Sequence, residues 1–184
     1  MFVIRFALLS SFFYALNVTM VPLIYTFEIS AFLFLFVRFG TTFCTSLLVT
    51  KSFFSFNEIK HQKLGIWILI LSVLFGVQSW LYVEAVKYMS VGLASVVLFT
   101  YPLITYLIVS LTKRRSLDLI TIVMFIVATL GIAALSQSSE GFYTMVIGIV
   151  LALLSAMTYS LILITTPKVS GLKNWEIVKY TTLI

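Results

Sequence analysis

Arg38 is the residue whose type and position point most directly to chemistry. It is the only charged residue between Glu28 and Lys51, in an apolar run long enough to cross a bilayer. A guanidinium at mid-bilayer costs at least about 2.5–3.5 kcal/mol on insertion scales, so it usually faces the bundle interior or water and has a partner. Arg38 either binds the carboxylate of an anionic or zwitterionic substrate, or it bonds helix carbonyls or snorkels to one surface.

Polar side chains also follow one face of the first apolar run. Ser10, Tyr14 and Asn17 have the i, i+4, i+7 spacing that places them on the same side of an α-helix. Gln78 and Tyr82 form a similar i, i+4 pair in the third run. Such a stripe faces protein or a cavity, and it either contacts substrate or makes hydrogen bonds between helices.

Two further tyrosines complete the set of candidate substrate contacts. That set is Arg38, Tyr14, Asn17, Gln78, Tyr101 and Tyr159. Trp80 and Tyr82 are expected near the membrane–water interface, and this favours a place in the aromatic belt over contact with substrate.

Pro102 lies near the middle of an uncharged run, residues 91–111. A proline there removes one backbone hydrogen bond and frees a carbonyl, which in lipid needs a new partner. The sequence therefore predicts a structural kink at Pro102. The kink is either an ordinary feature of a membrane helix or one that shapes a substrate cavity.

The composition places most of the chain in lipid. Hydrophobic residues make up 61% of its 184 residues and charged residues 10%, whereas a water-soluble domain has about 25% charged residues. The net charge of +6 comes from basic residues at the ends of apolar runs, which indicates membrane topology rather than nucleic-acid binding. The sequence has no HExxH, P-loop, GxSxG or CxxC motif, so we expect no enzymatic activity, cofactor or metal site.

The apolar runs predict an all-α polytopic helix bundle of six spans and a partial seventh. The spans are expected at about 6–27, 29–50, 64–83, 91–111, 117–135 and 142–166, with a seventh run from residue 175. Ser90 is expected to cap the fourth span. The seventh run is too short to span, so the chain is expected to be truncated relative to a complete bundle.

The charged loops predict the orientation. If the spans alternate, one side of the membrane holds nine basic residues and the other holds only Lys87. The nine are Arg5, Lys51, Lys60, Lys63, Lys113, Arg114, Arg115, Lys168 and Lys173. The positive-inside bias places the N-terminus and these loops in the cytoplasm.

An internal repeat relates the sixth span to the first. Leu8-Leu9-Ser10 matches Leu153-Leu154-Ser155, and at the same offset Tyr14 matches Tyr159 and Pro22 matches Pro167. Five spans separate the two starts, and an odd number inverts the second copy, as in many secondary transporters. The predicted domains are a five-helix repeat at 1–137 and the beginning of an inverted repeat at 142–184.

The region from the third to the fifth span resembles the EamA-type members of the drug/metabolite transporter superfamily. The matching features are Ala85 with Lys87-Tyr88, then Gly92, Ala94 and Ser95, then Tyr101-Pro102, and Gly131, with Arg38 in the second span. The small residues Gly92, Ala94-Ser95 and Gly131 to Ala134 also predict close helix packing. The glutamate that the family commonly carries after the fourth span is missing, because Thr112-Lys113-Arg114-Arg115 stands there.

The resemblance implies a transporter of ten spans that moves a small metabolite, an amino acid or related compound, across the cytoplasmic membrane. Export by alternating access is the implied mechanism. The implied partners are the lipid bilayer and a small-molecule substrate, with no nucleic acid; a coupling ion and a homodimer stay open. The missing glutamate and the length keep an alternative open, a non-transporting membrane scaffold or an inactive fragment of a transporter.

Overall fold

The structure is a computed structural model, and every regular element that it describes is helical. It describes residues 19–50, 62–112 and 142–169, with isolated positions at 12, 16, 119–120, 123–124, 126–127, 130–131, 177–178 and 181–182. The elements are α1 (Val21–Thr26), α2 (Ala31–Thr50), α3 (Gln62–Val86), α4 (Val91–Leu98), α5 (Tyr101–Thr112) and α6 (Phe142–Thr165), followed by a 3₁₀ turn, Thr166–Val169. The all-helical prediction is therefore confirmed for the described residues.

Four stretches of the described chain are long and apolar enough to cross a membrane. They are Ala31–Leu48, Leu64–Val86, Val91–Thr112 and Tyr143–Val169, and they coincide with the predicted second, third, fourth and sixth spans. Large apolar side chains on their outer faces, such as Phe36 and Leu111, are more than 70% exposed, as side chains in contact with lipid would be. Much of the predicted first, fifth and seventh runs lies outside the described residues.

Two of the helices begin where the sequence supplies a capping serine. Ser90 accepts a hydrogen bond from the Leu93 amide at 3.4 Å, as predicted, and so begins α4. Ser30 accepts from the Leu33 amide at 3.2 Å and begins α2 in the same way. Between α1 and α2, Glu28 adopts a φ of 53°, in the left-handed region that is costly for a residue with a Cβ atom. Glu28 lies in the short turn that joins α1 to α2.

The membrane helix that contains Pro102 is broken. Helix α4 ends at Leu98 and α5 begins at Tyr101, so the break lies at Phe99 and Thr100, just before the proline. At the break, the Val97 carbonyl accepts hydrogen bonds from both the Thr100 amide at 3.1 Å and the Thr100 hydroxyl at 2.8 Å.

Helix α6 lies at the centre of the described packing and contacts α3, α4 and α5. Its small residues Ala152 and Ala156 are fully buried in the main core, together with Val83 and Val97. A second cluster joins α3 to the end of α6 and the 3₁₀ turn through Ile68, Leu71, Ile162 and Val169. The sixth span is therefore an integral part of the bundle rather than an appendage to it.

Gly148 marks the closest helix approach among the glycines of the described chain. A Cβ atom built there would lie 3.0 Å from the Met89 Cγ, 3.2 Å from the Tyr88 Cβ and 3.3 Å from the Ala85 carbonyl oxygen. Gly92 and Gly131 were predicted to allow close helix packing, but a Cβ at either would meet nothing within 4 Å in the part of the chain that the structure describes. That prediction is wrong for Gly92, because small size permits a close approach without requiring one. The residues that follow Gly131 lie outside the described residues.

Candidate functional site

A cavity of about 250 Å³ lies between the helices, and Arg38 is on its wall. It is lined by Val21 of α1, by Arg38, Phe39 and Thr42 of α2, by Phe75, Gln78, Ser79 and Tyr82 of α3, by Tyr159 of α6, and by Val178, Thr181 and Thr182. Three of the residues predicted from the sequence, Arg38, Gln78 and Tyr159, thus meet around one space.

The lining residues follow helical faces. On α2, Arg38, Phe39 and Thr42 have the i, i+1, i+4 spacing of one face, and Val178, Thr181 and Thr182 have the i, i+3, i+4 spacing of another. Thr42 lies one helical turn after Arg38, so the sequence identifies it once the polar residues one turn from each candidate are included. Phe39 and Phe75 could not be identified from the sequence, because phenylalanine is common throughout this chain.

Arg38 is half-buried and well inside its span. At 1.5 Å per residue it lies about 10 Å from the beginning of the Ala31–Leu48 stretch and about 15 Å from its end. Its carbonyl accepts hydrogen bonds from the Thr41 hydroxyl at 2.9 Å and the Thr42 hydroxyl at 2.8 Å. Arg38 is the charged residue among the lining residues that the structure describes.

The Gln78 side chain is held in place by hydrogen bonds to two serines. Its Nε2 donates to the Ser155 Oγ at 3.3 Å, and the Ser155 hydroxyl donates to the Gln78 backbone carbonyl at 3.0 Å. The Ser79 hydroxyl donates to the Gln78 Oε1 at 3.4 Å. Gln78 therefore lines the cavity and also links α3 to α6. It combines the two roles predicted for such polar side chains, a place at the substrate cavity and hydrogen bonding between helices.

Tyr82 is a cavity residue rather than a member of the aromatic belt. Its side chain is only 5% exposed, and its hydroxyl lies 2.9 Å from the Ser95 Oγ of α4. The belt assignment was wrong because Tyr82 is one helical turn from Gln78 and therefore faces inward with it. Trp80, two residues further along α3 than Gln78, is 48% exposed.

Tyr159 and Tyr101 form an aromatic pair between α6 and the broken helix. Their ring centroids are 4.6 Å apart in an edge-to-face arrangement. The Ser160 hydroxyl donates to the Tyr101 carbonyl at 3.0 Å, in the first turn after the break. Tyr101 is not among the residues that line the cavity, but its ring packs against Tyr159, which is. Tyr14 and Asn17, the remaining predicted contacts, lie outside the described residues.

Two further contacts hold the helices around the cavity. The Tyr25 hydroxyl donates to the Val83 carbonyl at 2.8 Å and ties α1 to α3. The Lys168 Nζ lies 3.7 Å from the centre of the Trp67 ring, within the range of a cation–π interaction. These contacts join the end of α6 to the beginning of α3, and α1 to the other end of α3.

Comparison with known proteins adds one match. The model of the EamA-like transporter family matches residues 1–137. No curated protein and no solved structure matches the chain. The match covers α1 to α5. Helix α6 and the lining positions 178, 181 and 182 lie beyond it.

Proposed function

This chain belongs to the EamA-like transporter family, and we propose that it is a secondary transporter of a small metabolite. The substrate is an amino acid or a related compound, and it moves out of the cell across the cytoplasmic membrane by alternating access. The N-terminus and the basic loops lie in the cytoplasm, as the distribution of Lys and Arg indicates.

The observation that carries this proposal is the cavity around Arg38. A charged side chain deep in a membrane helix is costly, and transporters place such residues on substrate or ion pathways. Here the guanidinium shares its space with the Gln78 amide and the Tyr159 ring, inside a chain with four helices long enough to cross a membrane. These groups suit a substrate that is polar at one end.

The position of the cavity suits alternating access. One wall comes from α1, α2 and α3 of the predicted first repeat, and the other comes from Tyr159 and Thr181 of the predicted inverted copy. A substrate in this space lies between the two copies, where the sites of inverted-repeat transporters are found. Rocking one copy against the other would then open the cavity to each side in turn.

The contacts between the two copies are individually weak enough to be remade in a transport cycle. They include the hydrogen bonds of Ser155 with Gln78 and of Ser160 with the Tyr101 carbonyl. Side-chain hydrogen bonds between membrane helices are worth on average about 0.6 kcal/mol. These bonds set the relative position of the copies together with the apolar contacts of Ala152 and Ala156 in the main core, and no one of the bonds is strong enough to prevent motion.

The test compares metabolite efflux between cells that express the complete coding sequence and cells that express its Arg38→Ala variant. Wild-type cells are expected to release one metabolite or a few related ones into the medium, as measured by mass spectrometry. Arg38→Ala should abolish this release at equal protein abundance. Lys87→Ala, which removes an exposed charge outside the cavity, is the matched control and should leave release unchanged.

Two outcomes would count against the proposal. Equal release by cells with and without the protein would contradict transport and favour a scaffold. Undiminished release by Arg38→Ala, with less protein in the membrane, would assign Arg38 a structural role instead.

A further inference from the structure

We infer that the ends of α1 and α6 are a pair of gates at opposite ends of the cavity. At one end Tyr25 of α1 contacts α3, and at the other end Lys168, just after α6, contacts α3. This inference rests on the proposed function and assigns the groups that open and close its site. The places of the two contacts along α3, the internal repeat and the chemistry of each contact support it.

The two contacts lie on either side of the cavity along α3. The Lys168 Nζ lies 3.7 Å from the centre of the Trp67 ring, and the Tyr25 hydroxyl donates to the Val83 carbonyl at 2.8 Å. At 1.5 Å per residue, Trp67 and Val83 are about 24 Å apart along the helix. The α3 residues that line the cavity, from Phe75 to Tyr82, all lie between them. Each contact therefore holds a neighbouring segment against α3 at one end of the cavity.

The internal repeat relates the two gates to each other. Its offset pairs Pro22 with Pro167, and the same offset pairs Ile24 with Val169. Two residues after each proline the chain buries an aliphatic side chain, Ile24 in the main core and Val169 in the second cluster. The main core includes the last turns of α3, and the second cluster includes its first turns. Equivalent segments of the two predicted copies thus pack on opposite ends of α3, as an inverted repeat requires.

The predicted alternation of the spans agrees with this arrangement. Trp67 is near the beginning of the third span and Lys168 follows the sixth, so both are expected on the cytoplasmic side. Tyr25 is near the end of the first span and Val83 ends the third, so both are expected on the outer side. In the proposed orientation the end of α6 is therefore the cytoplasmic gate, and the end of α1 is the outer gate.

Each contact can break without disrupting a helix. Lys168 is exposed, and a cation–π contact at an exposed site is weak. Its ammonium can return to water when the gate opens, and the Trp67 ring suits the membrane–water interface. Val83 is among the last four residues of α3, whose carbonyls lack regular partners within a helix. Water can therefore replace the Tyr25 hydroxyl when the outer gate opens.

The inference is tested by the rate at which a cavity cysteine reacts from each side of the membrane. Thr42→Cys in a Cys44→Ser background places a thiol on the cavity wall. The probe is sulfonatoethyl methanethiosulfonate, which does not cross membranes. Added to intact cells it reaches the outer side, and added to inside-out vesicles it reaches the cytoplasmic side. Mass spectrometry measures the labelled fraction of the protein.

Loss of the Lys168 contact should open the cytoplasmic gate. Lys168→Gln should raise the labelling rate from the cytoplasmic side about two- to fivefold, the factor that corresponds to an exposed cation–π contact, without raising the rate from outside. Trp67→Leu should have the same effect, and the two substitutions together should add nothing further. Lys87→Gln is the matched control and should leave both rates unchanged, because the Lys87 Nζ lies 5.9 Å from the ring centre of its own neighbour, Tyr88.

Loss of the Tyr25 contact should have the opposite effect. Tyr25→Phe should raise the rate from outside about threefold, the factor that corresponds to an average hydrogen bond between membrane helices, without raising the rate from the cytoplasmic side. Tyr106→Phe, which removes a tyrosine hydroxyl from α5 away from both gates, is its control. Size-exclusion chromatography establishes that each variant is folded, and Tyr25→Phe keeps the test decisive if Trp67→Leu is not.

Unchanged rates in both Lys168→Gln and Tyr25→Phe would overturn the inference, because the contacts would then have no part in opening. Rates raised equally from both sides would also overturn it, because they would indicate a loosened bundle rather than a gate. Failure here differs from failure of the proposed function. Labelling is measured without substrate or release, so opposite shifts in the two variants together with absent efflux would contradict the proposed function alone.

Discussion

At the scale of single residues, the cavity shows which polar side chains the sequence could identify. Arg38 was identifiable because a charge within an apolar run is costly, and Gln78 because it forms an i, i+4 polar pair with Tyr82 in an apolar run. The position of Tyr82 near the end of its span predicts the aromatic belt, whereas its spacing of one helical turn from Gln78 places it at the cavity, where the structure has it. Thr181 and Thr182 could not be predicted, since nothing in their short run distinguishes the cavity side from the lipid side.

Ser155 provides a prediction at this scale. Ser155→Ala removes the two hydrogen bonds between α3 and α6 and leaves the Gln78 amide without that partner. We expect a loss of about 1 kcal/mol in the free energy of unfolding, near the upper part of the range for hydrogen bonds between membrane helices. The measurement is unfolding by sodium dodecyl sulfate in mixed micelles.

Thr158→Val is the matched control for Ser155→Ala. The Thr158 hydroxyl donates only within its own helix, to the Leu154 carbonyl at 2.8 Å, in the contacts described. Its removal should change the free energy of unfolding by less than about 0.5 kcal/mol. Equal effects of the two substitutions would show that the bonds to Gln78 contribute nothing specific to stability.

At the scale of elements, the sequence predicted the spans better than their contacts. The four membrane-crossing stretches of the described chain were expected because length and apolar composition are sufficient to recognise a span. Composition does not reveal which face meets a neighbour, because α3 is almost equally hydrophobic on all sides. Gly148 was therefore overlooked, and Gly92 was given a close contact that it does not make.

Gly148 and Gly76 offer a paired prediction about packing. An alanine Cβ at Gly148 must displace the Met89 side chain and approach the Ala85 carbonyl, whereas at Gly76 it meets nothing within 4 Å. We expect Gly76→Ala to stabilise the protein by about 0.5–1 kcal/mol, since alanine is the better helix former. Gly148→Ala should instead destabilise it by about 1 kcal/mol, because overpacking outweighs that gain.

Thermal unfolding of both glycine variants in the same detergent provides the comparison. An increase in the midpoint temperature for Gly148→Ala that matches the increase for Gly76→Ala would mean that α6 and α3 are not in close contact at this point.

Pro102 provides a prediction about the broken helix. Pro102→Ala supplies an amide hydrogen that can donate to the Leu98 carbonyl, so the break at Phe99 and Thr100 should close. Spin labels at Val91 and Leu111, in a Cys44→Ser background, should report a distance several ångströms longer by double electron–electron resonance. An unchanged distance would show that packing against α6, rather than the proline, maintains the break.

At the scale of the whole molecule, orientation in the membrane is the property on which the proposed direction of transport depends. Single cysteines are introduced by Lys60→Cys, Arg114→Cys and Lys87→Cys in a Cys44→Ser background. A membrane-impermeant maleimide should label Lys87→Cys in intact cells, and the other two only after permeabilisation, because basic loops remain in the cytoplasm. Labelling of Lys60→Cys and Arg114→Cys from opposite sides would contradict both the span count between them and the inverted repeat.

The bond between Gln78 and Ser155 also has a consequence for biogenesis. The two residues are separated by 77 positions in the chain, and ribosomes add about 5–20 residues per second. Gln78 is therefore synthesised roughly 4–15 s before Ser155, whose hydroxyl oxygen accepts the hydrogen bond from its side-chain amide. Throughout that interval the nascent protein must shelter a polar group from lipid, so release of the third span from the insertion machinery should wait for arrival of the sixth.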